Sequence, residues 1–441
     1  MTTGTLMSRV GTDEPTPTLV LPSLRREPLA VTAWALMANT VSTSVLGMVF
    51  WVGAAHFYSS EQLGEDAALV SAMVLLSSLS QLNLNMGIAR LLPQVSRRPA
   101  AAVLSVYAVT AAVAVALTSC FLAIVPRLSE GLAFLGEDRL LQVALVTAVV
   151  LWNVFSLQDA VLTSARRAYA VPVENGVFGL LKIGLMFWLA HSFDGHGIFF
   201  AWVLAMALVV LPVNTVIFGR VLPALRRAGG RPGATVLPLA DRARVAKYLA
   251  TDYAAALLSQ GSTALLPVLV IGVLGRSASA YFYMAFLIAA AVGALAQSLS
   301  TSLIVEGAHD ESNLAELTRR SIRRYIRFVA PGVIVLAVAA PLVLRPFGAD
   351  YVDEGSTLLR LLLVGTVPQA VVCLYLAVER VRARVSRVLV VEALSVVATI
   401  VGAVAGMRWF GLAGVGIAFL VCQSALAILV LPRLAQTTAP A

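Results

Sequence analysis

The sequence predicts an all-α polytopic membrane protein, with about twelve transmembrane helices arranged in two six-helix lobes related by an axis along the membrane normal. Three observations predict it. Of the 441 residues, 59% are hydrophobic and only 12% charged, where soluble domains carry about 25% charged residues. Apolar runs of about twenty residues recur along the whole chain, long enough to cross a ~30 Å hydrocarbon core at ~1.5 Å per residue. The basic residues, finally, alternate in abundance from one connecting segment to the next.

The spans fall at about 29–53, 67–89, 100–125, 140–163, 172–191, 197–219, 248–273, 280–304, 326–345, 356–378, 388–407 and 412–432. Residues 1–28 are polar and Pro-containing, and the apolar run behind them is too long for a signal-peptide core. A short disordered cytoplasmic tail is expected there, and residues 433–441 are expected to form a C-terminal cytoplasmic tail. Of the 32 Lys and Arg residues, 25 fall on one side of the bundle, in segments such as Arg97-Arg98, Arg166-Arg167, Arg226-Arg227, Arg319-Arg320 and Arg380 to Arg387. The other side holds five: Arg127, Arg139, Arg276, Arg345 and Arg408. Positive loops stay cytoplasmic, so both termini are expected inside the cell membrane and the span number is even. The net charge of +9 is thereby a topology signal and calls for no nucleic acid.

The longest internal connection, 220–247, places Gly229, Gly230, Pro232 and Gly233 between basic residues and reads as a cytoplasmic linker. It divides an N-terminal lobe, 29–219, from a C-terminal lobe, 248–432. Four matches in register support an internal duplication. Gly195 to Ile198 repeats as Gly414 to Ile417 and Leu211-Pro212 as Leu431-Pro432, while Val173-Glu174 returns as Val391-Glu392 and Gln81 as Gln297. Parallel repeats of this kind are related by an axis along the membrane normal. Gly402 and Gly406 have the spacing that lets helices approach closely.

Little in the chain suggests catalysis. No nucleotide-binding glycine loop, paired Cys/His metal motif or HExxH occurs, so neither a cofactor nor a metal is expected. Cys120, Cys373 and Cys422 sit in apolar runs and read as packing residues. His56, His191, His196 and His309 lie in loops or at span edges.

What remains is a set of polar groups at membrane depth. Lys182 lies about ten residues into the fifth span, roughly 15 Å deep. Burying a lysine there costs ~2.5–3.5 kcal/mol, so it should face protein, water or an anion. Its structural partner would be Asp159 or Glu174, and its functional one an anionic ligand. Asp159 stands just above Arg166 and Arg167 and suits either a local ion pair or a coupling ion. Asp252 and Glu392, near cytoplasmic helix ends, suit either a coupling ion or the helix dipole. Arg360 enters the tenth span by about one turn and can snorkel outward. Gln81, Asn83, Asn85 and Arg90 close the second span and Gln297 lies in the eighth. These amides either meet across a central cavity, where they would hydrogen-bond sugar hydroxyls, or hold helices together.

Two stretches carry a family resemblance. Leu69-Val70-Ser71-Ala72 through Gln81-Leu82-Asn83 to Arg90-Leu91-Leu92-Pro93 is similar to a second span closing on Arg and Pro. Leu157 to Leu162, Arg166-Arg167, Val171 to Asn175 and Lys182 resemble the following fourth-to-fifth-span hairpin. Both belong to the Wzx-like oligosaccharide flippases of the multidrug/oligosaccharidyl-lipid/polysaccharide (MOP) exporter superfamily. The resemblance runs over nearly the whole chain from residue 29. It implies a MATE-like bundle with a central cavity and alternating access that carries a polyprenyl-pyrophosphate-linked oligosaccharide to the outer leaflet. Its implied partners are that lipid-linked oligosaccharide, membrane lipid, and glycan polymerase or export proteins.

On this resemblance Lys182, Arg90 and Arg360 are the pyrophosphate candidates. Gln81, Asn83, Asn85, Gln297 and Asn39 are the polar candidates for the glycan. The first span carries no charge, with Asn39 and Thr40 its chief polar groups, whereas related lipid II flippases place an Arg there; the departure argues against lipid II. A cation-coupled multidrug antiporter of the same superfamily and a non-transporting scaffold of a polysaccharide assembly complex are the alternatives. A membrane glycosyltransferase or polymerase would need a large extramembrane loop.

Overall fold

The computed structural model describes residues 29–92, 98–165, 167, 169–193, 195–227, 264–309, 313–382 and 384–438. Among them no strand occurs. The first half comprises α1 (Leu29–Phe57), α2 (Ser60–Ser80), α3 (Leu84–Leu91), α4 (Pro99–Leu128), α5 (Arg139–Ser164), α6 (Ala170–Ser192) and α7 (Gly197–Val216), which runs on through a π turn to Arg227. The second comprises α8 (Ala264–Leu274), α9 (Arg276–His309), α10 (Leu314–Arg324), α11 (Ala330–Val338), α12 (Ala349–Val381) and α13 (Val385–Thr438).

Among the described residues eight helices are long and apolar enough to cross a membrane, and a ninth arises if Leu314–Val338 and Ala340–Phe347, bent by 75°, form one span. The chain is a multi-pass membrane protein. A helix stands at each of the twelve expected spans, the seventh being described only from Ala264. The last two merge in α13, where Gly411 (φ 56°, ψ −137°) breaks the helix between them. A left-handed φ of this kind is open to glycine without steric cost. Gly402 and Gly406 pack their hairpin closed, against Ala418 and Gly414 respectively.

The second span differs from its expected bounds of 67–89. It begins at Ser60, where Ser59 and Gln62 form a reciprocal capping box, and breaks at Leu82 and Asn83, both at positive φ. Glu65 and Asp66 make the first turns look like loop by charge. In the fold both carboxylates have partners and the helix continues through them.

The start of α1 and both termini of α13 lie at the basic end of the bundle, and α2, α7 and α9 start from the opposite, far end. The halves meet through α2 and α9. Gly64 lies against the backbone of Arg276 and Ala280, and Gly131 against that of Ile271. Ser279 Oγ donates to the Gly64 carbonyl at 3.2 Å. The Trp51 and Tyr283 rings pack at 4.7 Å. These joining contacts gather toward the far end, whereas on the basic half of α9 Ala290, Ala294, Gln297, Ser298 and Thr301 are exposed. Among the described residues, the contacts between the halves close the far end, and this face of α9 toward the basic end is exposed.

Candidate functional site

Lys182 of α6 is 5% exposed. Its Nζ lies 3.9 Å from the ring centre of Trp202 (α7), 4.5 Å from Phe50 (α1) and 5.2 Å from Phe178 (α6). Trp152 and Phe155 of α5 extend the aromatic cluster, with Trp152 5.5 Å from Trp202 and Phe155 5.0 Å from Phe178. None of the ion pairs among the described residues involves Lys182. The sequence offered Asp159 or Glu174 as its structural partner. Glu174 lies eight residues back, about 12 Å along the helix, and the partners are aromatic faces instead. A desolvated cation–π contact contributes ~2 kcal/mol or more, comparable with the ~2.5–3.5 kcal/mol cost of placing a lysine at this depth.

One helical segment toward the basic end, four helices contribute to a polar chain. Tyr107 Oη (α4) donates to Asn214 Oδ1 (α7) at 3.2 Å, and Asn214 Nδ2 donates to Gln158 Oε1 (α5) at 2.7 Å. Gln158 Nε2 in turn donates to Glu174 Oε1 (α6). Glu174 is 5% exposed, and its Oε2 has no hydrogen-bond partner. Asp159 lies near enough for the two carboxyls to feel each other's charge. Asp159 turns to Asn175 and forms no ion pair with Arg167, while Arg166 lies outside the described residues. Glu174 is buried and Asp159 half-buried, both are backed by amides, and among the described residues neither forms an ion pair, so the pair can take up a proton or a small cation.

The remaining sequence candidates separate. Gln81 Nε2 donates to Ser77 Oγ at 2.9 Å and its Oε1 accepts from Asn85 at 2.6 Å. Ser77 and Ser80 both bond to Asn153 of α5, so this network ties α2, α3 and α5 together. Asn83 sits at the left-handed break. Asn39 is half-buried, with its Oδ1 unpartnered. Gln297 is exposed on α9 and lines a cavity of about 310 Å³ inside the second half, as does Glu392, which pairs with Arg380. Arg360 is exposed, and its Nε reaches the Ala337 carbonyl at 3.3 Å. The Arg90 side chain and the whole of Asp252 lie outside the described residues.

A fourth cluster closes the far end. The Asp66 carboxylate, fully buried, accepts from the Ile198 and Phe199 amides at 2.9 and 3.1 Å, capping α7, and holds His196 Nδ1 at 2.7 Å. Beside it Glu65 Oε1 meets Arg276 Nη1 of the second half at 2.6 Å. Phe134 stacks on His196 and lies under the Arg276 guanidinium.

Solved structures resemble this arrangement. An inward-facing multidrug resistance MATE family transporter of the MOP superfamily superposes with a TM-score of 0.68 at 16% identity, over 92% of this chain and 98% of that one. The lipid II flippase MurJ, in an inward closed conformation, gives 0.69 at 12% identity, over 93% and 90%. The chain has the fold of the MOP-superfamily transporters. An outward-facing MATE family transporter of that superfamily gives 0.60 at 15% identity, over 93% and 96%. No family model and no curated protein matches the sequence.

Within this MOP fold the far-end cluster and the aromatic surroundings of Lys182 escaped the sequence reading. Glu65, Asp66 and Arg276 look like loop charges, and His196 like part of a Gly-containing span start. One signal was present: two adjacent acids directly before an uninterrupted apolar run demand partners once the helix is known to begin earlier.

The cluster makes a pH prediction. Burial works against the His196 imidazolium, yet the hydrogen bond and charge of Asp66, with Glu65 and Asp138 nearby, raise its pKa above the ordinary 6.5. A raised histidine pKa contributes stability that is fully present below the unfolded-state value and is lost as pH rises through the folded-state one. His196→Gln should therefore lower the thermal midpoint of the purified protein below about pH 6.5, and the deficit should fade above that. A deficit independent of pH would mean that the imidazolium has no part in holding the far end.

Proposed function

We propose that this chain is a flippase, moving a polyprenyl-pyrophosphate-linked oligosaccharide from the cytoplasmic to the outer leaflet of the cell membrane for surface polysaccharide biosynthesis. The observation that carries this reading is Lys182, a buried amine with no carboxylate paired to it among the described residues. At low dielectric such a charge attracts an anionic head group and repels a cationic drug. The fold shared with a lipid II flippase supports a lipid-linked cargo.

The positive-inside rule puts the basic end in the cytoplasm. The closed far end then faces outward, and the bundle stands inward-facing. The higher TM-score against the inward-facing transporter than against the outward-facing one agrees with this. The lobes would rock about the α2–α9 contact while the polyprenyl tail stays in lipid. Glycan polymerase and export proteins are the partners that such a step requires downstream.

A second reading, a cation-coupled multidrug antiporter, is favoured by buried Glu174 and half-buried Asp159, which provide the intramembrane acids that cation exchange needs. In the flippase the same pair would couple transport to protons or sodium. Reconstituted vesicles separate the two. Protein-dependent exposure of a labelled polyprenyl-pyrophosphate oligosaccharide to an impermeant glycosidase is expected. Movement of a cationic dye under a proton gradient, with no movement of the lipid, would favour the antiporter.

A further inference from the structure

The arginines at the basic end carry a topology signal, and that signal requires only that they lie in the connections between spans. Four of them also converge. Arg382 just after α12, Arg384 and Arg387 at the start of α13, and Arg433 near its C-terminus line one pocket of about 350 Å³. Glu379 is the one carboxylate among the lining residues. It is 2% exposed and is shared by two of the arginines, with Arg384 Nη1 at 3.6 Å and Arg387 Nη1 at 3.4 Å. Arg382 Nη1 donates to the Thr437 hydroxyl at 3.2 Å. Among the described residues Arg433 forms no ion pair.

The lining thus sets four guanidinium groups against one carboxylate. Like charges held around one pocket repel. Each guanidinium also carries five N–H donors in a planar fork, most of which these contacts leave free. Such forks match the oxygens of a phosphate two at a time.

The position of the pocket points to the source of that phosphate. On the first arm of α13, the exposed residues from Arg387 to Val401 are Arg387, Val390, Leu394, Val397 and Val401. The four apolar ones follow Arg387 at i+3, i+7, i+10 and i+14, on one face of the helix. They extend ~21 Å from it at ~1.5 Å per residue, enough to cross one leaflet of a ~30 Å hydrocarbon core. On the other arm Leu429, one turn before Arg433, is exposed as well. Arginines at the head of an exposed apolar stripe one leaflet long suit a molecule with a phosphate at one end and hydrocarbon at the other. A free phosphate makes no use of the stripe. Basic pockets between spans hold anionic lipid head groups on this principle.

We propose that this pocket binds the phosphodiester head of an anionic phospholipid in the leaflet at the basic end, with an acyl chain along the α13 stripe. The lipid bridges the two termini of α13 and stabilises the second half by binding its folded state.

The test is native mass spectrometry of the purified full chain in detergent, with phosphatidylglycerol and phosphatidylcholine of matched chains added. Phosphatidylglycerol should be retained preferentially and should raise the thermal midpoint. Its affinity should fall roughly tenfold or more in Arg382→Gln/Arg433→Gln. Arg226→Gln/Arg227→Gln removes the same charge from exposed residues at the same end and should leave the affinity unchanged. Thermal midpoints without added lipid check folding, and Arg433→Gln alone, which breaks no ion pair among the described residues, should still weaken binding if the double variant does not fold. Equal retention of the two lipids, or equal loss in the two double variants, overturns the pocket in favour of diffuse attraction to the basic end. Displacement of the lipid by millimolar inorganic phosphate or glycerol 3-phosphate overturns the lipid as its occupant. Tighter binding of polyprenyl pyrophosphate, lost in Arg382→Gln/Arg433→Gln, does so too and would make the pocket a cargo site.

Discussion

Gly64→Ala is expected to hold the far end open and to cut transport roughly 10- to 100-fold. A Cβ on Gly64 would lie 1.8 Å from the Arg276 carbonyl oxygen, and one on Gly131 would lie 2.0 Å from that of Ile271. Both obstacles are backbone, so no side chain can turn aside. Forcing extra atoms into a packed contact costs ~1–3 kcal/mol or more, and ~1.4 kcal/mol is tenfold in a population. That cost falls only on the state in which the halves touch. Spin labels at Glu61→Cys and Asp350→Cys, exposed at the far end of either half, should move apart in Gly64→Ala. Gly131→Ala should behave alike. Gly47→Ala, whose Cβ would meet nothing within 4 Å, serves as the control and should transport normally. An unchanged label distance in Gly64→Ala would show that the α2–α9 contact is not the closing surface.

Lys182→Met should abolish export, by tenfold or more, while leaving the protein inserted and at least as stable. Methionine keeps the length and apolar stem that fill the aromatic cage, so packing around Phe50, Phe178 and Trp202 is preserved. The substitution removes the ~2.5–3.5 kcal/mol burial cost of the charge together with the cation–π contacts that offset it, and the two nearly cancel. Loss of export without loss of the thermal midpoint then isolates the charge itself. Normal export in Lys182→Met would reduce the ammonium to a packing element and remove the main support for an anionic cargo.

The helices were legible in the sequence because lipid imposes a length and an apolar composition on each span, and the loops between them carry the orientation signal. The two departures occur where local chemistry outweighs hydropathy. The Ser59–Gln62 cap starts α2 among charges, and Leu82 and Asn83 break it inside an apolar run. The depth of Lys182 was also legible, since it follows from counting residues along a helix. Its environment was not. Phe50, Trp202 and Trp152 come from three other helices, and in a chain this apolar nothing local says which faces meet. The same holds for Glu65 and Arg276, whose pairing depends on the halves touching at Gly64. The cavity containing Gln297, Glu392 and Gln423 depends on the hairpin at Gly411. Gln81 and Gln297, equivalent by register, prove to do different things: one knits α2, α3 and α5, and the other lines the cavity.

The central claim is that the cargo is an anionic lipid-linked glycan. It is tested most directly by deleting the gene in its host and measuring polyprenyl-pyrophosphate-linked oligosaccharide in the cytoplasmic leaflet. Accumulation of that lipid with loss of surface glycan, restored by the wild-type gene but not by Lys182→Met, is the predicted result. No accumulation, together with new sensitivity to cationic drugs, would contradict the flippase and establish the antiporter in its place.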